Sequence, residues 1–154
     1  MEIGDLLTPR GLVAQLRAAN KRQALQEMAR RVAAITELPE RRIYDVLNER
    51  ERLGSTGIGR GVAIPHGKLA ELSRPVGLFA RLERPIPFDA IDDQPVDLVF
   101  VLLTPLSAGP DHLTLLSRIS RLLRDQATCE KLRGADNGDA LFALLTISTE
   151  SHAA

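Results

Sequence analysis

The segment from Gly54 to Lys68, GSTGIGRGVAIPHGK, holds the side chains best suited to chemistry. It places glycines and two hydroxyl residues ahead of one histidine, His66. Loop amides and hydroxyls can donate hydrogen bonds to phosphate oxygens, and a neutral imidazole has a nucleophilic nitrogen near pH 7. The pattern predicts that His66 accepts a phosphoryl group, although it also fits a strand-end histidine with a structural hydrogen bond. The predicted phosphate-binding residues are Ser55, Thr56, Gly57 and Gly59.

Two other phosphate-binding loops do not fit this segment. A Walker A loop has Gly-Lys-Ser/Thr after its variable residues, whereas Gly59 is followed by Arg60 and Gly61. A dinucleotide-binding loop runs from a strand through glycines into a helix. Here a predicted helix comes first and the extended run VAIPH comes last. The order of the elements therefore argues against nucleotide binding.

A second histidine, His112, lies in the first turn of a helix that Pro110 is predicted to begin. A helix N-terminus disfavours the charged imidazolium and so favours the neutral ring. A neutral His112 could donate a hydrogen bond to a phosphoryl oxygen or orient His66. It also lies in helical register with Leu115 and Ile119, so a buried structural histidine is the alternative.

Arg50 lies one helical turn before the glycine-rich segment. It occupies the next position on an apolar stripe formed by Ile43, Val46 and Leu47. A charged residue at an apolar position can extend its guanidinium to solvent at the helix end. The alternative is that the guanidinium binds phosphate oxygens through its several N–H donors.

Other kinds of site are less well supported. Asp92, Asp93 and Asp97 could orient a histidine, but acidic residues beside turns are usually solvated. The chain has three histidines with no i, i+4 pair, so we predict no metal site. No nucleophile-elbow sequence surrounds Ser55, which argues against a hydrolase. We predict no cofactor.

Hydrophobic periodicity predicts the elements that position these residues. Strands are expected at Leu12–Leu16, Val76–Leu82 and Asp97–Leu103, and the last of these is apolar enough to be central and buried on both faces. Helices are expected after Asn20, from Pro39 to Leu53, from Pro110, and as two short segments separated at residues 134–138. This interleaving predicts a single-domain α/β sandwich over residues 1–147, with a small mixed sheet flanked by helices on both faces. We expect residues 148–154 to form a frayed tail.

Composition narrows the possible partners. The 154 residues include 20 basic and 20 acidic side chains, and only 3% are aromatic, so no nucleic-acid-binding surface is expected. Cys129 is the only cysteine and cannot form an internal disulfide. The N-terminus lacks the basic and apolar regions of a signal peptide, and the apolar run VDLVFVLLTP is too short to span a bilayer. We therefore expect a cytoplasmic protein without membrane insertion.

Three segments together resemble one known family. GSTGIGRGVAIPHGK, PIPFDAIDDQPVDLVFVLLTP and DHLTLLSRISRLL are similar to the enzyme IIA domains of the bacterial phosphoenolpyruvate phosphotransferase system, in the fructose/mannitol superfamily and its nitrogen-regulatory type. The resemblance extends from about Met1 to Thr146. It implies a phosphohistidine at His66, supported by His112 and Arg50. It also implies a histidine-phosphorylated carrier protein as the phosphate donor.

The resemblance leaves more than one role open. It implies a regulator whose phosphorylation state controls the binding of target proteins, in nitrogen metabolism and in potassium transport or sensing. A sugar-specific IIA component that passes phosphate to a IIB partner is one alternative, and a docking module that relays no phosphate is another. Neither the residues nor the resemblance specifies which ring nitrogen of His66 is modified.

Overall fold

The computed structural model describes the backbone of residues 1–153 and the side chains of residues 1–146. A six-stranded mixed sheet lies at its centre. The strands are β1 (Leu12–Leu16), β2 (Gly57–Gly59), β3 (Val62–Ala63), β4 (His66–Leu69), β5 (Val76–Ile86) and β6 (Val96–Pro105). Their order is β1-β5-β6-β3-β2, and β4 pairs with β6 beside β3.

Strand β6 is the centre of the sheet because nine of its ten residues are buried, all but Asp97. On one side it pairs antiparallel with β5. On the other side it pairs parallel with β3 and then with β4, which places His66 opposite Leu102. The predicted central strand is therefore confirmed.

Helices cover both faces of this sheet. They are α1 (Ile3–Leu6), α2 (Lys21–Thr36), α3 (Glu40–Leu53), α4 (Pro110–Arg124), α5 (Gln126–Gly134) and α6 (Gly138–Ala153). Successive strand residues point to opposite faces, so Val99 and Val101 pack in a core that includes residues of α2 and α3. Leu98 and Phe100 pack in a second core with residues of α1, α4, α5 and α6. The predicted sandwich is confirmed.

Local sequence signals explain how the helices around the candidate residues begin. The Asn20 side chain accepts a hydrogen bond from the Gln23 amide and so caps α2. Pro39 caps α3, one position before the helix rather than at its first residue as predicted. Pro110 is the first residue of α4, as predicted, and follows Gly109, which has a φ of 58°. His112 therefore lies in the first turn.

The close approach of α3 to β4 depends on Gly67. A Cβ atom at this position would lie 2.4 Å from Cγ1 of Val46, so only glycine lets the helix pack at this distance. Arg50 lies one turn after Val46 on the same helix face. The close approach at Gly67 thus brings the charged end of α3 to the start of β4.

The structure also differs from the sequence predictions. The run VAIPH is not one extended segment, since it contains β3 and only the first residue of β4. Ile64 and Pro65 join the two strands, and the Ile64 amide donates to the Thr56 carbonyl. Strand β5 continues four residues beyond Leu82. Helix α1 was not predicted, although its Ile3 and Leu6 are buried in the second core.

The tail predicted for residues 148–154 lies outside the residues whose side chains are described. In the described part of the chain, no helix combines the length and the apolar character needed to cross a membrane.

Candidate active site

His66 is the first residue of β4 and is half-buried. Its Nδ1 lies 2.8 Å from the Ile64 carbonyl oxygen. A carbonyl oxygen can only accept, so we assign the ring hydrogen to Nδ1, which donates. In the neutral ring this leaves Nε2 with a free lone pair. If His66 acts as a nucleophile, the backbone contact at Nδ1 leaves Nε2 as the available nitrogen, which the sequence had left undetermined.

Arg50 contacts this free nitrogen. Its Nε donates to His66 Nε2 at 3.3 Å, and its Nη1 donates to the Gly54 carbonyl at 2.9 Å. The guanidinium thus points toward the histidine from the end of α3 rather than outward to solvent. Of the two alternatives for Arg50, the geometry favours a functional contact, which explains a charge at an apolar stripe position.

His112 lies beside His66. The centres of the two rings are 5.6 Å apart, with 51° between the ring planes. His112 is buried, and its Nδ1 lies 2.6 Å from the hydroxyl oxygen of Thr104. The two sequence alternatives for His112 are therefore compatible, because the ring is both buried and next to the candidate acceptor.

The surroundings of both histidines lower the ring pKa and so favour the neutral form. Burial is the main cause that lowers the pKa of His66, and the charge of Arg50 lowers it further against the opposing effects of the Ile64 bond and Glu51. Burial also lowers the pKa of His112, with smaller contributions from His66 and Lys68. A neutral imidazole is what a nucleophile needs, so this environment suits phosphoryl transfer near neutral pH.

The hydroxyls of the glycine-rich segment bind within the protein. The Ser55 hydroxyl donates to the Phe88 carbonyl at 2.6 Å and accepts from the Gly57 amide at 3.0 Å. The Thr56 hydroxyl donates to the carboxylate of Glu51. These bonds fix the segment beside the histidines, and the direct binding of phosphate by Ser55 and Thr56 stays a prediction.

The structure also requires glycine at the two positions predicted to bind phosphate, Gly57 and Gly59. A Cβ atom at Gly57 would lie 2.7 Å from the Ala90 Cβ, so the chain passes too close there for a side chain. Gly59 has a φ of 104°, which side chains rarely allow. Their backbone amides as phosphate ligands stay a prediction as well.

Two of the three aspartates considered from sequence, Asp92 and Asp97, have side-chain partners away from the histidines. Asp92 accepts hydrogen bonds from the amides of Arg60 and Gln94. Asp97 makes a two-bond ion pair with Arg133. These contacts support the alternative in which the aspartates have no role at the histidines, because Asp92 stabilises a turn and Asp97 forms an ion pair with Arg133.

Sequence reasoning missed Glu51 and Thr104. Glu51 is only 8% exposed and binds Lys21 Nζ at 2.7 Å as well as the amide and hydroxyl of Thr56. Its signal was its position one turn after Leu47 on the buried face of α3. Thr104 is fully buried, and its signal was a hydroxyl at the end of an otherwise apolar run.

Known proteins resemble this chain over nearly its whole length. Residues 5–147 match the family model for the phosphoenolpyruvate-dependent sugar phosphotransferase system, EIIA 2. A nitrogen regulatory protein of Bradyrhizobium diazoefficiens is 51% identical over 147 residues, which cover 96% of each chain. One from Escherichia coli is 40% identical over 147 residues, 95% of this chain and 90% of that protein.

A solved structure agrees with these sequence relatives. The crystal structure of the nitrogen regulatory protein IIA-Ntr from Neisseria meningitidis superimposes with a TM-score of 0.90 at 34% identity, covering 94% of this chain and 99% of that one. The matches in sequence and in fold span the same residues that build the two-histidine site. The chain therefore belongs to the enzyme IIA family of the phosphoenolpyruvate-dependent phosphotransferase system, in its nitrogen-regulatory group.

Proposed function

We propose that this chain is a cytoplasmic phosphoryl carrier that accepts phosphate on Nε2 of His66 from a histidine-phosphorylated carrier protein. The observation that carries the proposal is the arrangement around one nitrogen. Nδ1 donates to the Ile64 carbonyl, which leaves the Nε2 lone pair free, and this lone pair faces Arg50 with His112 alongside. The family relationship supports the same role.

The transfer step needs no proton movement on His66. The Nε2 lone pair forms the new N–P bond while the donor's N–P bond breaks and its electron pair returns to the donor imidazole. The His66 ring becomes more positive as the bond forms, and the Ile64 carbonyl oxygen, already 2.8 Å from Nδ1, stabilises that charge. Catalysis is then a matter of positioning and electrostatics.

Arg50 has a different partner before and after transfer. In the free protein its Nε donates to the lone pair that must attack. A guanidinium has five N–H donors and binds phosphate oxygens in a fork. We infer that Arg50 turns from Nε2 to the phosphoryl oxygens when the donor docks, so that the lone pair is released as the negative charge arrives.

Exposed apolar side chains near the site suit transient docking of the carrier. Leu53, at the end of α3, is 85% exposed, and Leu113, next to His112, is 67% exposed. Large exposed apolar residues near one site are typical of interaction surfaces. Leu69, in β4, is fully buried in the core and Ile58, in β2, is half-buried, so these two apolar residues are less available for docking.

The same phosphate suits a regulatory role. A phosphoryl group adds up to about two negative charges to a surface centred on neutral histidines. A change of about 1.4 kcal/mol in partner binding is already tenfold in affinity. Because the relatives from Bradyrhizobium diazoefficiens and Escherichia coli are named nitrogen regulatory proteins, we propose that phosphorylation controls binding to target proteins in nitrogen and potassium regulation.

The test is reconstitution with enzyme I, the phosphorylatable carrier and phosphoenolpyruvate, followed by intact mass. We expect one acid-labile, alkali-stable phosphate on the wild type and on His152→Ala, and none on His66→Ala. Incubation with IIB domains separates the roles, since label that moves onto a sugar-specific IIB assigns the chain to transport. Absence of label with every cognate carrier would leave a docking module and refute the proposal.

A further inference from the structure

The two histidines of the site differ in what binds Nδ1. For His66 the partner is a backbone carbonyl, and for His112 it is the hydroxyl of Thr104, 2.6 Å away. Thr104 is fully buried, and His112 is nearly so. A hydroxyl can donate as well as accept, so this second bond has two possible directions.

Burial decides between the two directions. Within the described part of the chain, His112 Nδ1 is the one hydrogen-bond partner of the Thr104 hydroxyl. If Nδ1–H donated to the hydroxyl oxygen, the hydroxyl hydrogen would be left in the core without an acceptor, which is costly. If the hydroxyl donates to Nδ1, both groups are satisfied. The hydrogen of the neutral His112 ring is then on Nε2.

We propose that Thr104 is a positioning residue that fixes His112 as the Nε2–H tautomer and so makes it a hydrogen-bond donor to the phosphoryl group on His66. The one lone pair of His112 is then on Nδ1, where it accepts from a hydroxyl in the core, whereas the lone pair of the half-buried His66 accepts from the side chain of Arg50. His112 therefore does not compete as a phosphate acceptor. This inference rests on the proposed function of His66. It adds the reason why only one of two adjacent neutral histidines takes the phosphate.

The sheet register brings the two ring systems together. His66 pairs with Leu102 of β6, and Thr104 lies two residues further along the same strand. Two strand residues span roughly 6.6 Å, so the anchor of His112 is fixed by the same strand that holds His66. Because the ring centres are 5.6 Å apart, a phosphoryl group bound to His66 would be within reach of the His112 ring.

The direct test is the tautomer of each histidine, measured by two-bond 1H–15N correlation spectra at neutral pH. We expect His66 as the Nδ1–H form and His112 as the Nε2–H form in the wild type. Thr104→Val, which has the same shape without the hydroxyl, should give a mixture of tautomers at His112 only. Thr104→Ser restores the hydroxyl and should restore the wild-type spectrum.

Transfer kinetics supply the second readout. Thr104→Val should slow labelling of His66 by about tenfold, the effect of one lost hydrogen bond, and Thr104→Ser should recover most of the rate. His112→Gln retains an amide donor at the distance of Nε2, so it should be labelled faster than His112→Ala. The amount of label at completion should be the same in all four variants.

The outcomes separate this inference from the proposed function. A wild-type His112 in the Nδ1–H form overturns the role of Thr104, and it needs no variant to be seen. A Thr104→Val protein with an unchanged His112 tautomer and an unchanged rate overturns it too. If no carrier labels the protein at all, the proposed function fails, while the tautomer spectra still test whether Thr104 orients His112.

Discussion

His66 and His112 lie side by side, yet the fold surrounds them differently. His66 begins an edge strand, is half-buried and donates from Nδ1 to a backbone carbonyl. His112 lies in the first turn of α4 and is buried, and its Nδ1 is hydrogen-bonded to the Thr104 hydroxyl. A carbonyl can only accept, whereas a hydroxyl can donate, so Nε2 carries a lone pair on His66 and a hydrogen on His112. The group bound to Nδ1 of each ring therefore determines whether Nε2 of that ring carries a lone pair or a hydrogen.

The largest expected effect comes from removing each ring in turn. His66→Ala should abolish phosphate uptake because it removes the only free nucleophilic nitrogen of the pair. His112→Ala should retain full uptake at completion but slow it by about 10- to 100-fold, since a positioning donor is lost. Rates are measured by quenched-flow mass analysis. Equal loss in both variants would contradict the division of roles.

Substitution of Glu51 tests the buried hydrogen bonds that hold Thr56 in the glycine-rich segment. Glu51→Ala should lower the free energy of unfolding by about 2–4 kcal/mol, because the Thr56 amide and hydroxyl and the Lys21 ammonium lose a buried carboxylate. Urea unfolding at pH 7 measures it. The matched control is Glu83→Ala, whose partner Arg17 is exposed, with an expected loss below about 1 kcal/mol. Similar losses in both would mean that the buried network contributes little.

Gly67 tests the spacing between α3 and β4. Gly67→Ala should destabilise the protein by about 1–3 kcal/mol and slow transfer, because the new methyl displaces Val46 and with it the Arg50–His66 contact. The tautomer of His112 should not change. Gly134→Ala, where a Cβ meets nothing within 4 Å, should stay within about 0.5 kcal/mol of wild type. A normal transfer rate in Gly67→Ala would show that this spacing does not position Arg50.

The smallest effect is a selective pKa change. Burial is the main cause of the lowered pKa of His66, and the positive charge of Arg50 adds to it. Arg50→Gln should therefore raise the pKa of His66 part of the way toward its usual value. The pKa of His112, which burial, His66 and Lys68 lower, should change less. NMR titration of both rings measures this, and a larger change at His112 would contradict the assignment.

Acid should destabilise the fold through the same two rings. Both folded-state pKa values lie below the ordinary histidine value of about 6.5. As the pH falls below that value, the unfolded chain takes up protons before the folded chain does, so stability falls until the folded pKa values are passed. Urea midpoints at pH 7 and pH 5 measure the loss. His66→Ala and His112→Ala should each reduce this pH dependence, and an unchanged slope in both would refute it.

Local sequence determined much of the architecture. Hydrophobic periodicity predicted the limits of β1 and the central position of β6. Cap residues predicted where α2 begins, after Asn20, and where α4 begins, at Pro110. Both signals act over a few neighbouring positions. The short α1 was missed because four residues carry too little periodicity, and its burial depends on a core formed by distant helices.

The sequence by itself also determined the candidate residues, since the types and spacing of His66, His112 and Arg50, together with a family resemblance, are visible in one dimension. Only the tertiary structure decided how they act. The Ile64 carbonyl determines which nitrogen of His66 carries the lone pair. The packing of α3 against Gly67 directs the Arg50 guanidinium toward His66, and the Thr104 hydroxyl determines the tautomer of His112. Hydrogen bonds and burial join residues far apart in the chain, and they set protonation and orientation, which no local pattern encodes.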